Sequence, residues 1–320
     1  MRTWRVAGSA RGRRRHGQRA HPRRPAGRRA RACRAGARVI IDAHCHAWPR
    51  WPYPRAADAA PIDTGRHGSI ERLRAAMTDA GVSRALVVSA NIGDPPIDDD
   101  SHVAAAARED PEVLSFVTDI DSRWSPTYHD GRMTERVRAL PENATRIGVG
   151  HYLADRADGW WGSPDAEGLG RALADRGMLL SLHAPPPWHP ALGEWARRHR
   201  DVPVLLHHLG LVRDEDELAG LASLADAPGV FVKASGFAYV DPEGADASFP
   251  TGIRVLRTVL ETFGPDRVVW GSDFPVSPEY GIGYGRALGL VRDVAMGFGA
   301  QACEAVLGGT MAALWRRSTA

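Results

Sequence analysis

The feature that most constrains the fold of this chain is an alternation repeated from Val39 onward. Eight short runs rich in β-branched residues are each followed by a longer amphipathic run rich in Ala, Leu and Arg. This βα rhythm is typical of a parallel sheet. Eight such units fit a closed (β/α)8 TIM barrel, which needs about 250 residues, better than a doubly wound sheet. We therefore predict a single α/β barrel domain over residues 39–320.

Strands are predicted at 39–43, 84–89, 113–118, 146–149, 178–182, 202–207, 229–233 and 268–270. Helices are predicted at 69–80, 101–109, 133–140, 165–176, 191–200, 214–224, 251–263 and 284–296, with a last one near 301–315. Ser69, Ser101 and Asp214 are candidate N-caps, because their side-chain oxygens can accept from first-turn amides.

The first 38 residues differ in composition from the rest of the chain. They hold 14 Arg and no Asp or Glu, which leaves 27 basic and 38 acidic residues from Val39 onward. An Arg-rich arm can bind nucleic acid or act as an organelle-targeting peptide. This one has no apolar run and no periodic apolar face, so it cannot bury enough surface to fold. We predict that residues 1–38 are a disordered extension or foreign to the native protein.

Composition also bears on compartment and partners. No stretch reaches the roughly 18 apolar residues that a membrane span needs. The three cysteines lack the CxxC spacing of a cysteine zinc site. We expect a soluble protein of the reducing cytoplasm with no membrane partner. Its oligomeric state is left open, a homo-oligomer included.

Histidines and an aspartate stand where the predicted strands end. His44 and His46 close the first strand in IIDAHCHAW, and the two-residue period of a strand directs both rings to one side. The ends of the fifth, sixth and eighth strands carry His183, the pair His207 and His208, and Asp273. Polar residues at C-terminal strand ends of such a barrel are typical of an active site.

The predicted closure makes the eighth strand the neighbour of the first. Asp273 is then expected to approach His44 and His46, while His183 faces them from across the mouth. Imidazole nitrogens and one carboxylate suit Zn, Fe, Mn or Co and leave a position for water. We predict one divalent metal ion, with zinc as first choice, held by these four residues.

These motifs resemble the amidohydrolase-related branch of the amidohydrolase superfamily over nearly all of residues 39–315. DAHCHAW is similar to its first-strand HxH motif, SLHA to its strand-5 histidine, HHLG to its strand-6 histidine and VWGSDFPV to its strand-8 aspartate. FVKASG and FGPDRVVWGSDFP are similar to a lactonase-type subgroup, some members of which use neither a metal nor a strand-5 histidine. This chain departs from the subgroup at His207, where Asp is usual, and at GGTMAA, where GGNAA is usual.

Strand alternation predicts that only one of His207 and His208 points inward. The resemblance selects His208 as a catalytic residue, with His207 as the alternative.

Four further residues are candidate substrate contacts. Lys233 lies inside a strand and either binds a substrate carboxylate or forms a structural ion pair. Arg123 is a candidate anion clamp. Trp124 and Trp188 lie in segments after strands and are either aromatic pocket walls or ordinary loop packing.

The expected activity is hydrolysis of a lactone, ester or amide bond of a small, carboxylate-bearing molecule. The metal would activate water and polarise the carbonyl, Asp273 would transfer the proton, and His208 would stabilise the oxyanion. Similar non-oxidative decarboxylases use the same constellation, so decarboxylation is the alternative. Nucleic-acid binding through the basic arm is a distant third alternative. No nucleic-acid partner is expected, because residues 39–320 are acidic and contain no DNA- or RNA-recognition motif.

Overall fold

Eight parallel strands form one sheet in chain order. They are β1 (Ile41–Cys45), β2 (Arg84–Val88), β3 (Leu114–Asp119), β4 (Arg146–Tyr152), β5 (Leu179–His183), β6 (Val204–Leu206), β7 (Val230–Ala234) and β8 (Val268–Trp270). This computed structural model describes residues 39–53, 61–92, 100–244 and 249–319. The predicted extension over residues 1–38 lies outside that part.

The sheet closes where the chain beyond β8 meets β1. The Asp273 amide donates to the His44 carbonyl at 2.8 Å, and the His46 amide donates to the Phe274 carbonyl at 2.7 Å. Gly271 lies at this seam, where a Cβ would stand 2.5 Å from Cβ of His44, so only glycine permits the approach. The predicted TIM barrel is confirmed, and its closure draws Asp273 to the histidines of β1.

A buried carboxylate ties the same seam together. Asp42 accepts hydrogen bonds from the amides of His44 and Ser272 at 3.0 and 2.9 Å and from the Tyr284 hydroxyl at 2.8 Å. Burial raises the pKa of Asp42 to about 6, although each of these donors opposes the rise. The aspartate of DAHCH is therefore a structural link between β1 and the segment after β8.

Helices cover the outside of the barrel between successive strands. They are α1 (Ile70–Ala80), α2 (Asp100–Glu109), α3 (Met133–Ala139), α4 (Pro164–Asp175), α5 (His189–Arg198), α6 (Glu215–Ser223), α7 (Pro250–Phe263) and α8 (Tyr284–Met296). Ser69 and Asp214 cap α1 and α6 as predicted. The prediction for Ser101 is wrong, because α2 already begins at Asp100. No helix in the described ranges is long and apolar enough to cross a membrane.

The last predicted helix is not continuous. It consists of Ala300–Glu304, a π-helical turn at Ala305–Gly309 and Thr310–Thr319. Gly308 in this turn packs directly on the Val39 carbonyl, where a Cβ would collide with the backbone. The GGTMAA segment therefore closes one end of the barrel against the start of β1.

Candidate active site

Three of the four predicted metal ligands meet at the seam between β8 and β1. Oδ1 of Asp273 lies 3.5 Å from Nε2 of His44 and 3.6 Å from Nε2 of His46, and all three side chains are buried. Ligand atoms about 2.0–2.2 Å from a tetrahedral zinc ion are about 3.4 Å apart. The donor atoms and their spacing therefore fit a metal ion.

The surroundings of His46 also fit a metal ligand. Its Nδ1 lies 2.7 Å from the Val88 carbonyl. A carbonyl only accepts, so Nδ1 carries the ring proton and Nε2 keeps a free lone pair. A metal-binding imidazole usually donates a hydrogen bond from the N–H of its other nitrogen in this way.

His44 has an amine in the corresponding position. Its Nδ1 lies 3.1 Å from Nζ of Lys233, and its Nε2 has no hydrogen-bond partner within the described residues. Burial lowers the pKa of Lys233 to about 7. A neutral amine can accept a hydrogen bond from Nδ1–H of His44, which leaves Nε2 of His44 available as a ligand.

Asp273 is held in place through one of its carboxylate oxygens, Oδ2. It lies in the left-handed region with a φ of 54°, which Asp tolerates better than most residues. Its Oδ2 accepts from the Tyr239 hydroxyl at 2.9 Å and from Ser277 at 3.3 Å. Burial opposes ionisation, but the neighbouring rings of His208 and His46 and the hydrogen bond from Tyr239 outweigh it and hold the pKa of Asp273 below its usual value. The carboxylate is therefore ionised.

Both histidines after β6 face the barrel interior, so the prediction that only one can do so is wrong. The strand ends at Leu206, and His208 has a left-handed φ of 51°. This turn ends the alternation and directs two successive side chains to the same side. The rings of His207 and His208 lie 4.4 and 4.6 Å from that of His44. The three histidines form a second group whose nitrogens lie within 4.8 Å of one another.

The β7 motif FVKASG supports these histidines. Nζ of Lys233 donates to Oγ of Ser181 at 2.7 Å, and Oγ of Ser235 lies 3.1 Å from Nδ1 of His208. Gly236 faces the His208 ring so closely that a Cβ would collide with it. Within the described residues no carboxylate forms an ion pair with Lys233, whose Nζ contacts His44 and Ser181 instead.

His183 lies apart from the other predicted ligands. Its ring is 6.2 Å from those of His207 and His208, and it belongs to neither group of converging ligand atoms. It ends β5, across the barrel from the seam that carries Asp273. Burial lowers the pKa of His183 to about 3, so the ring is neutral.

The other predicted contacts have different surroundings. Arg123 forms an ion pair with Asp155 at 2.8 Å. Trp124 packs 4.8 Å from the Tyr152 ring and lines a cavity of about 320 Å³ formed mainly by the segment after β3, whose lining includes neither Asp273 nor any of the site histidines. The prediction that Trp188 forms a pocket wall is wrong, because its fully buried side chain belongs to the hydrophobic layer between the strands and the helices.

Several polar residues in and near the site were not predicted. Asp119 ends β3 and lines the same cavity as Trp124, apart from the group of histidines and Asp273, and burial raises its pKa to about 7. The strand-end rule that selected Asp273 applies equally to Asp119. Ser181 could have been found two residues before His183 on the inward face of β5. No sequence signal indicates Tyr239, which follows β7 in a short helix, Phe237–Val240.

Comparisons with known proteins identify the family of this chain. The amidohydrolase family model matches residues 41–317. L-fucono-1,5-lactonase from Burkholderia ambifaria is 27% identical over 253 residues, which cover 74% of this chain and 80% of that protein. An amidohydrolase from Burkholderia multivorans, solved with bound zinc, has 23% identity and a TM-score of 0.65 and covers 87% of this chain and 99% of its own. A 5-carboxyvanillate decarboxylase from Sphingomonas paucimobilis has 15% identity and a TM-score of 0.55 over 87% and 99% of the two chains.

At such low identities the two solved structures support the fold alone. The family match spans most of the chain and includes every histidine and aspartate of the site. This chain therefore belongs to the amidohydrolase family and is an enzyme of the hydrolase type.

Proposed function

We propose that this hydrolase adds water to the lactone ring of a small, uncharged, sugar-like molecule. The observation that carries the proposal is the arrangement of Asp273. Its Oδ1 faces Nε2 of both His44 and His46, while its Oδ2 is held by Tyr239. A buried, ionised carboxylate beside potential metal ligands is well placed for general base catalysis. Similarity to L-fucono-1,5-lactonase supports the choice of a lactone.

His44, His46 and Asp273 would hold one divalent ion, with zinc as the first candidate. When bound, such an ion supplies Lewis acidity toward the carbonyl and the attacking water. Asp273 takes the proton from that water and returns it to the ring oxygen that leaves. His183, which lies outside this ligand group, is assigned to the far wall of the site.

His208 is the candidate donor to the oxygen that gains negative charge. Ser235 holds its Nδ1, which leaves Nε2 for the substrate. Burial lowers the pKa of His208 to about 4, so the ring is neutral and has a single proton to donate. A neutral donor held in place in a buried site stabilises an oxyanion without first having to reorganise.

The surroundings of the two predicted cations favour an uncharged substrate over a carboxylate-bearing one. Lys233 is fully buried and bonded within the site, and Arg123 is paired with Asp155. A substrate carboxylate would have to break one of these pairings. The Trp124 ring, by contrast, lines a cavity and offers apolar surface to the face of a sugar ring.

The experiment follows proton release and carbon dioxide release separately on a panel of aldonolactones and aromatic carboxylates. Hydrolysis of a neutral lactone above the spontaneous rate, lost in Asp273→Asn, is the expected result. Decarboxylation, the alternative from sequence, would appear as carbon dioxide released from an aromatic carboxylate with no lactone turnover. That outcome would overturn the proposal.

A further inference from the structure

Lys233 is exceptional in the sequence as well as in the structure. It is the sole lysine of the chain, since all the others among the 41 Lys and Arg residues are arginine. It is also fully buried, on the inward face of β7. An ammonium or amine is a compact group on a flexible stem, whereas a guanidinium is a wide planar fork. A chain that otherwise uses arginine therefore places the smaller head group at this one position.

Lys233 contacts one histidine directly and a second one through a serine. Its Nζ lies 3.1 Å from Nδ1 of His44 and 2.7 Å from Oγ of Ser181. The same Oγ lies 2.8 Å from Nε2 of His207. Lys233 and Ser181 thus form a buried chain of hydrogen bonds that occupies one nitrogen on each ring.

Each of the two rings has a second nitrogen that this hydrogen-bond chain does not use. Nε2 of His44 and Nδ1 of His207 are both buried and have no hydrogen-bond partner in the part of the chain that the structure describes. The two rings meet edge to face at 4.4 Å. Leaving buried polar atoms unpaired is costly, so a site that does so at two adjacent rings is expected to offer them to a ligand.

We propose that Lys233 and Ser181 are positioning residues that select the nitrogen which His44 and His207 each present to the reacting atoms. This inference deepens the proposed function and rests on it for the identity of those atoms. It assigns a task to His207, the residue at which this chain departs from the lactonase-type pattern. A second imidazole nitrogen then faces the substrate beside the one supplied by His208.

The test uses full-length protein labelled with 15N in its histidine rings, in which the nitrogen shift reports which atom carries the proton. His44→Gln and His207→Gln assign the two signals. Ser181→Ala should change the His207 signal and leave that of His44, whereas Lys233→Met should change both. Turnover should fall about 10- to 100-fold in each, with KM nearly unchanged, as is usual when partners behind a ligand are lost. Lys233→Arg should not retain wild-type turnover, because the wide planar guanidinium does not fit the space of the lysine amine.

Ser89→Ala is the matched control. It removes another fully buried barrel hydroxyl, one with no hydrogen-bond partner among the described residues. Its ring signals, turnover and melting temperature should equal those of wild type. If Lys233→Met does not fold, Ser181→Ala alone decides the inference.

Unchanged ring signals, or a turnover within about twofold of wild type, in folded Ser181→Ala would overturn the inference. The ring signals are read in metal-free protein without substrate. They therefore stand even if no lactone is hydrolysed, an outcome that would count against the proposed function alone.

Discussion

The phenolic hydroxyl of Tyr239 donates a hydrogen bond of 2.9 Å to Oδ2 of Asp273, while Oδ1 of the same carboxylate faces His44 and His46. The Tyr239 ring also packs edge-on against His208 at 4.7 Å. One side chain thus holds the proposed base and contacts the proposed oxyanion donor. Because it fixes which carboxylate oxygen is turned toward the reaction, its loss should affect rate more than binding.

Tyr239→Phe should lower kcat by at least about 10-fold with little change in KM. A hydrogen bond to a charged group contributes about 1.5–3 kcal/mol, and about 1.4 kcal/mol corresponds to a factor of ten in rate. Steady-state kinetics on the best lactone provide the measurement. Tyr280→Phe is the control, because Tyr280 lies 5.6 Å from the Tyr239 ring and is 46% exposed. Equal loss in both variants would show that the hydrogen bond is not responsible.

Asp273→Asn should stay folded and lose at least about 100-fold in turnover, the low end for a general acid or base. The amide keeps the shape of the side chain and removes its basicity. Melting temperature and kcat are measured together, with added zinc, so that a loss of metal is not mistaken for a loss of base. Near-normal turnover would remove Asp273 from the mechanism.

The seam of the barrel was predictable because two simple regularities meet there. Side chains alternate along β1, which places His44 and His46 on one side, and barrel closure makes Asp273 their neighbour. Both steps follow from the strand positions and their order, without knowledge of side-chain packing. The same reasoning could not place His183. A position at the end of a strand fixes where a side chain lies along the barrel axis, but not how far it is from side chains on the opposite strands.

The regularity failed where a strand ended. His208, Leu209 and Gly210 all have left-handed backbone conformations, so the two-residue period stops at Leu206 and both histidines turn inward. Of these three only glycine signals such a turn in a sequence. Trp188 illustrates a second gap, because a tryptophan after a strand can face either the mouth or the helices, and local sequence does not distinguish them.

Elemental analysis should find close to one divalent metal per chain in wild type and much less in His46→Ala. His183→Ala should keep most of its metal, because its ring lies outside the ligand group at the seam. Both variants remove one imidazole from the same barrel mouth, so each serves as the control for the other. If His183→Ala loses the metal as completely as His46→Ala, then His183 is a ligand that moves inward when the ion binds. Full activity of stringently metal-free protein would instead remove the metal from the mechanism.

The free energy of unfolding of the metal-free protein should fall as the pH is lowered from about 6.5 to about 4. Burial lowers the pKa of eight imidazoles among the described residues. The value falls to about 3 or 4 in His151, His183, His189 and His208, and the others are His44, His102, His129 and His207. In this window the unfolded chain protonates these rings while the folded chain keeps them neutral. The unfolded state therefore binds more protons, and acid favours it.

Two carboxyls oppose this trend, because burial raises the pKa of Asp42 to about 6 and that of Asp119 to about 7. In the same window they are protonated in the folded chain and ionised in the unfolded one. Eight imidazoles that oppose folding in acid against two carboxyls that favour it leave a net loss of stability on acidification. Urea unfolding at several pH values in the presence of a chelator provides the measurement. His189→Gln should reduce the slope by about one proton, or about 1.4 kcal/mol per pH unit, without loss of activity, because His189 contacts the Ala184 carbonyl outside both ligand groups. A stability that stays level or rises between pH of about 6.5 and 5 would mean that the buried histidines are already charged in the folded protein.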